Sequence, residues 1–354
     1  MMISYKRILP YVTIKNKDLR RKSMYWFYKK GPKNNLCDVP GVRVGHLTLE
    51  DPARGIHTGI TAILPPGDNP YQDKFIAAAH RINGFGKPLG LDQVRELGEI
   101  ESPILLTNTL SIGDACRGLL DYMVDLDQSI GRPTTINPLV LECNDGNIND
   151  IRLMALEPDH ALEAIRSARE DFDQGSLGAG TGMVCYGLKG GIGSASRVLE
   201  VQGKTYTLGA LVLANFGSTQ DLCILGQKLG PDLVREETED QGSIVTILAT
   251  DLPLDSRQLL RLCKRVQSGI ARTGSFSGHG SGEFVLAFST CPNPSIQDPD
   301  LNPIFRATVE VVEESILKSL YLNQSKRAYS GKLFQSLKDR ARDRGVKLPD
   351  LATD

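Results

Sequence analysis

Gln241-Gly242-Ser243-Ile244-Val245-Thr246-Ile247-Leu248-Ala249-Thr250-Asp251 carries five aliphatic residues between Ser243 and Thr250. The segment before it, Arg235-Glu236-Glu237-Thr238-Glu239-Asp240, is acidic and has no apolar period. A solvated loop therefore runs directly into a buried strand, with Gly-Ser at the junction. If the Gly242–Ser243 bond is cut, Ser243 becomes a chain terminus that carries a hydroxyl and a free α-amine at the mouth of that strand. An α-amine has an ordinary pKa of about 7.7–8.0, so a useful fraction is unprotonated near neutrality. Such an amine can act as base for its own hydroxyl. Gly-Ser before a strand is also ordinary turn chemistry, so the rest of the chain has to decide between the two.

Working outward, apolar runs and turn signals alternate along the whole chain. Strands are expected at Asp38–His46, Thr58–Leu64, Phe75–His80, Pro103–Asn108, Pro138–Cys143, Met183–Leu188, Thr205–Ala214 and Glu283–Ser289. Helices are expected at Leu91–Leu97, Gly113–Val124, from an Asp159 cap to Phe172, from Asp255 or Ser256 through Leu259, Cys263, Val266 and Ile270, at Ile304–Leu322, and at Leu333–Arg344. Ile82–Gly86 reads as a turn, and Gly217–Gly242 as an acidic loop. Strands outnumber helices too heavily for simple βαβ alternation. The expectation is an α+β sandwich with sheets inside and helices outside.

The totals fit a globular chain of 354 residues, 40% hydrophobic and 23% charged. A net charge of −1 provides no basic field for nucleic acid or anionic lipid. No apolar run approaches the roughly 18–20 residues of a membrane span. The seven cysteines are dispersed and odd in number, which reads as reduced thiols and a cytoplasmic location. Met1–Lys33 is basic and aromatic but lacks the apolar core of a secretory signal. It is read as part of an extension, residues 1–34, ahead of a single domain at 35–354.

Several motifs fail. Gly178–Met183 and Gly191–Ser196 both lack the last glycine of a dinucleotide fingerprint, and Val198 stands where a phosphate loop before Gly203-Lys204-Thr205 needs glycine. Cys116 resembles a caspase nucleophile only superficially, because its segment begins Asp114-Ala115 and reads as helix. His46, His57, His80, His160 and His279 are scattered, so no metal site is expected. What survives is an acyl-transfer set. Ser243 would be nucleophile, Asn215 an oxyanion donor, and Ser281 with Glu283, at i and i+2, a relay that steadies the Ser243 amine.

Many collinear blocks carry a resemblance: Asp38–His46, Thr58–Ile63, Asn83–Gly86, Glu101–Ile104, Gly180–Met183, Lys189–Gly193, Gly242–Pro253 and Ala271–Ser275. Through them the sequence resembles the L-aminopeptidase/D-esterase family, which includes the β-peptidyl aminopeptidases, from Asn35 to about Leu322. The resemblance implies a self-processing N-terminal-nucleophile hydrolase with a four-layer αββα sandwich. Cleavage between Gly242 and Ser243 would give an α chain (1–242) and a β chain (243–354). Ser243 then matches the nucleophile, Asn215 the oxyanion asparagine, and Ser281 and Glu283 the supporting pair. Glu142 matches a carboxylate that would take the substrate ammonium. The resemblance also implies small peptide or amide substrates, no cofactor, and a homo-oligomer of αβ pairs. One position departs from it: Asn144 stands where the family often has a substrate-site tyrosine. An amide is shorter than a phenol and does not titrate near neutrality. Two other readings fit the same residues: an acyltransferase of related fold, for which a threonine nucleophile is expected, and a silent ligand-binding homologue.

Overall fold

The computed structural model describes residues 25–235 and 241–351. The acidic residues 236–240 and most of the expected N-terminal extension, residues 1–24, lie outside the described residues.

Nine principal strands are numbered here in chain order: β1 Arg43–Asp51, β2 Ile56–Leu64, β3 Phe75–Gly84, β4 Ile104–Asn108, β5 Leu139–Cys143, β6 Gly191–Val201, β7 Lys204–Asn215, β8 Gln241–Thr250 and β9 Gly280–Ser289. The helices of seven residues or more are α1 Leu91–Leu97, α2 Ile112–Leu126, α3 Pro158–Arg166, α4 Ser256–Cys263, α5 Val266–Arg272, α6 Leu301–Tyr321 and α7 Leu337–Arg344. One sheet has the order β1-β2-β4-β5. The other runs β3-β9-β8-β7-β6, with the short strand Glu99–Ile100 added beside β3.

Alternation along each strand sends side chains to opposite faces, and this builds four layers. Between the sheets, Ile63, Leu106 and Leu141 meet Leu213, Val245, Ile247 and Leu286. The outer face of the larger sheet packs Ile244, Leu248 and Val285 against Leu259, Ile270 and Ile316 of the helices. The outer face of the smaller sheet packs Ile60 and Leu105 on Leu119 and Ile165. The layers are therefore helix, sheet, sheet, helix, the expected αββα sandwich.

Local differences have physical causes. No strand is expected directly after Lys189, yet the glycine-dense segment there is the long strand β6. Its glycines serve close approach: a Cβ on Gly193 would lie 1.9 Å from the Ser315 carbonyl oxygen of α6. Met183–Leu188 is not one strand. Val184–Cys185 pairs with Leu188–Lys189 around Tyr186-Gly187, whose φ angles of 52° and 67° make a tight hairpin turn. The apolar stripe 259–270 spans two helices broken at Lys264-Arg265. The helix expected from Asp159 is instead capped by Glu157 and stops at Arg166. Leu333–Phe334 pairs with Lys326–Arg327, so the last helix starts later, behind a Ser336 cap. Ile82–Gly84, expected in a turn, continues β3.

The expected boundary at 34/35 does not separate residues 25–34 from the sandwich. Trp26 is buried, with the Arg197 guanidinium 4.7 Å from its ring centroid. The Tyr25 hydroxyl donates to Glu313 at 2.6 Å, and the Phe27 N–H to Glu310 at 2.9 Å, both on α6.

Candidate active site

Three adjacent strands deliver the candidate residues to one end of the larger sheet. β8 runs antiparallel to β7, with Ser243 opposite Asn215. It runs parallel to β9, with Gly242 beside Ser281, Ser243 beside Gly282 and Ile244 beside Glu283. Gly242 has φ of 133°, and a Cβ there would lie 1.9 Å from the Asn215 carbonyl oxygen, so only glycine fits before the serine. Gly282 also has a steric role: a Cβ would lie 2.3 Å from the Phe85 carbonyl oxygen and 3.3 Å from Ser243 Oγ.

The register fixes which side chains share a face. Ser243 lies on the face of Gly282 and Val245, toward the inter-sheet core. Ser281 and Glu283 lie on the opposite face with Ile244 and Val285, toward the helices. The Ser281 hydroxyl donates to Glu283 Oε1 at 3.0 Å, and both residues are fully buried. This pair therefore flanks the Gly242–Ser243 main chain and does not face the Ser243 hydroxyl.

Asn215 is held on both sides. Its Oδ1 accepts from the Val184 N–H at 2.8 Å, and its Nδ2 donates to the Asn144 carbonyl at 2.9 Å. The first bond fixes which end of the amide is the donor. Val184 belongs to the tight hairpin, and Lys189 of the same hairpin anchors it. The buried Lys189 ammonium donates to the Gly180 and Met183 carbonyls at 3.0 and 3.1 Å. Burial drives its pKa well below the ordinary lysine value.

Glu142 stands at the end of β5, only 3% exposed. Its Oε1 accepts from the Lys87 N–H at 2.9 Å and its Oε2 from the Thr109 hydroxyl. A carboxylate has lone pairs beyond these two bonds, and Glu142 reaches the same cavity as Ser243. The Asn144 side chain closes its own turn, Oδ1 accepting from the Gly146 N–H at 2.9 Å. What Asn144 offers to Asn215 is its carbonyl. Beside it, Asp145 is fully buried, and burial pushes its carboxyl up to about 7, against the pull of hydrogen bonds from Thr58, Asn149 and Asn108.

These groups meet in a cavity of about 1200 Å³ lined by Ser243, Asn215, Glu142, Asn144, Phe85 and His279, among others. Ser243 is 6% exposed at its floor. All the sequence-predicted residues except Ser281 and Glu283 line this space; those two lie behind the sheet. Sequence reasoning missed Thr109, Lys87 and Val184. The latter two act through backbone N–H groups, which leave no trace in residue type. No group of three His, Cys, Asp or Glu residues is placed to hold a metal among the described residues.

The description of peptidase family S58 matches residues 34–333. The chain belongs to peptidase family S58. As a member of S58 it is a hydrolase of peptide and amide bonds, an aminopeptidase/amidase. Two relatives are β-peptidyl aminopeptidases named BapA. That of Sphingosinicella microcystinivorans is 33% identical over 347 residues, covering 87% of this chain and 86% of that protein. That of Sphingosinicella xenopeptidilytica is 34% identical, covering 83% and 82%. Among solved structures, a protein from Pyrococcus horikoshii OT3 superposes with a TM-score of 0.84 at 45% identity, covering 90% of this chain and 95% of that one. The L-aminopeptidase D-Ala-esterase/amidase of Ochrobactrum anthropi, described as a prototype serine aminopeptidase and a variant of the Ntn hydrolase fold, gives 0.82 at 32% identity, covering 91% and 97%. The S58 sandwich described above is of that fold class.

Proposed function

We propose that this S58 chain is a self-processing serine aminopeptidase whose nucleophile is Ser243. Its Oγ attacks the Gly242 carbonyl carbon, and the backbone C–N bond breaks as the serine nitrogen takes a proton. The resulting ester is hydrolysed by water. A Gly242 carboxylate ends the α chain, and Ser243, with a free amine, begins the β chain.

In turnover that amine takes the Oγ proton while Oγ attacks the substrate carbonyl. The Asn215 amide and a backbone N–H hold the oxyanion. The proton then passes to the leaving amine, and water releases the acyl group. Ser281 and Glu283, beside the Gly242–Ser243 main chain, stabilise the protonated amine. Glu142 takes the ammonium of the substrate's N-terminal residue. The substrates are small peptides, amides or esters with a free amine; no cofactor is invoked. The mature protein is proposed to be a cytoplasmic homo-oligomer of αβ pairs built on one domain.

The observation that carries this reading is the alignment of Asn215, Ser243 and Gly282 on three neighbouring strands, with Asn215 and Ser243 lining the cavity that Glu142 also reaches. Denaturing electrophoresis with intact-mass measurement tests it. The wild type gives two chains meeting at Gly242/Ser243, and Ser243→Ala gives one chain that does not hydrolyse aminoacyl amides. An uncut wild type that still releases amines sinks the proposal.

A further inference from the structure

The cavity mouth carries aromatic surface that the chemistry above does not use. Phe85 is 61% exposed and Phe276 is 69% exposed, and both line the same cavity. The His279 ring lies 6.5 Å from the Phe85 ring, centroid to centroid, at 58°. Large rings left in water forgo burial, and a cluster of them at a cavity mouth marks a contact surface.

Hydrogen bonds hold the backbone beside Phe85 and His279. The Lys87 N–H binds Glu142, the Gly86 N–H returns to the Gly84 carbonyl at 2.9 Å, and the Phe85 carbonyl lies over Gly282. Residues 85–87 thus bridge the carboxylate and the strand position beside the nucleophile. On the other side, Asn83 Nδ2 donates to the carbonyls of Gly278, His279 and Ser281 at 3.0, 3.3 and 2.6 Å, which ties down the base of the 276–280 loop.

Burial gives the direction. Glu142 is 3% and Ser243 6% exposed, whereas the rings stand out in solvent. A substrate with its ammonium on Glu142 and its carbonyl at Ser243 continues outward, so its leaving group meets the rings. We propose that Phe85, Phe276 and His279 form an aromatic subsite for the leaving-group side of the scissile bond. The preferred substrates then carry an aromatic or bulky apolar residue directly after that bond. This rests on the Ser243 and Glu142 reading above.

Two dipeptides sharing one N-terminal residue, one ending in phenylalanine and one in glycine, test the subsite. They form the same acyl-enzyme, so the ratio of their kcat/KM values reports the leaving-group side alone. The wild-type ratio is expected to favour phenylalanine about tenfold. In Phe85→Ala/Phe276→Ala it falls toward one, and Phe276→Ala alone is intermediate. A wild-type ratio near one overturns the proposal. So does a ratio that survives the double substitution, or one that survives while the oligomer dissociates, which would make the rings a subunit contact. The mass of the β chain during turnover separates the two failures. An acyl adduct on Ser243 with a ratio of one removes the subsite and leaves the nucleophile. Hydrolysis that persists in Ser243→Ala removes both.

Discussion

Ser243 and Ser281 lie on opposite faces of one sheet, because Ser281 pairs with Gly242 and Gly282 pairs with Ser243. A relay made of Ser281 and Glu283 cannot receive the hydroxyl proton directly from that position. It can act on the nitrogen of residue 243, which belongs to the main chain between the two faces. In the proposed mechanism the base is therefore the amine, with the carboxylate behind the sheet tuning it.

This gives a signed pH prediction. A nearby carboxylate favours the ammonium and raises the amine pKa. In Glu283→Gln the amine titrates lower, so the acidic limb of the kcat profile moves to lower pH while the maximum falls. The mature, already cleaved form must be used, measured on an aminoacyl amide between pH 5 and 9. A limb that stays in place or moves upward contradicts the assignment.

Asn215 is expected to act on kcat more than on KM. Asn215→Leu removes the proposed oxyanion donor, and such losses are about 10²–10³ in rate. Leucine also strands the Val184 N–H that Oδ1 accepts, so the hairpin of residues 184–189 loosens. Asn215→Asp keeps that acceptor but offers no amide donor, and should show the same kinetic loss with less thermal destabilisation. Steady-state kinetics together with melting temperatures check both variants.

Glu142→Gln should discriminate between substrates. A charge-assisted hydrogen bond to the substrate ammonium contributes about 1.5–3 kcal/mol, which is roughly 10- to 150-fold in kcat/KM. That loss is expected for substrates with a free N-terminal amine. An N-acylated ester of the same residue should lose far less, narrowing the gap between the two. Equal losses on both would assign Glu142 to holding Lys87 and Thr109 in place rather than to substrate.

Asp145 links site stability to pH. Its folded pKa of about 7 lies above the ordinary carboxylate value, with burial the largest cause. Between those values the native state keeps a proton that the unfolded chain has released. Its contribution is fully present below about pH 4 and is lost as pH rises through about 7, by up to ~1.4 kcal/mol per pH unit. The stability difference between wild type and Asp145→Asn should therefore shift against the wild type from pH 4 to 7 and then level off. Chemical denaturation across that range measures it, and a difference flat with pH would contradict the buried-carboxyl account.

Much of this was legible in the residues alone. Leu91–Leu97 has the expected bounds, and most main-sheet strands and the long helix Leu301–Tyr321 fall within a few residues of expectation. Apolar period and capping chemistry are local properties, so a short window of sequence contains them. The choice of Ser243, Asn215, Ser281, Glu283 and Glu142 as candidates was also available, through residue chemistry and resemblance. Tertiary structure decided what depends on the neighbour. Residue type does not say why position 193 is glycine; the α6 backbone pressing on it does. Ser281 and Glu283 share a face by their spacing, but only strand register says that Ser243 looks the other way. Pairing across a sheet joins residues far apart in sequence, and a one-residue slip would exchange the faces. The order of residues fixed the parts, and register with close packing fixed which of them meet.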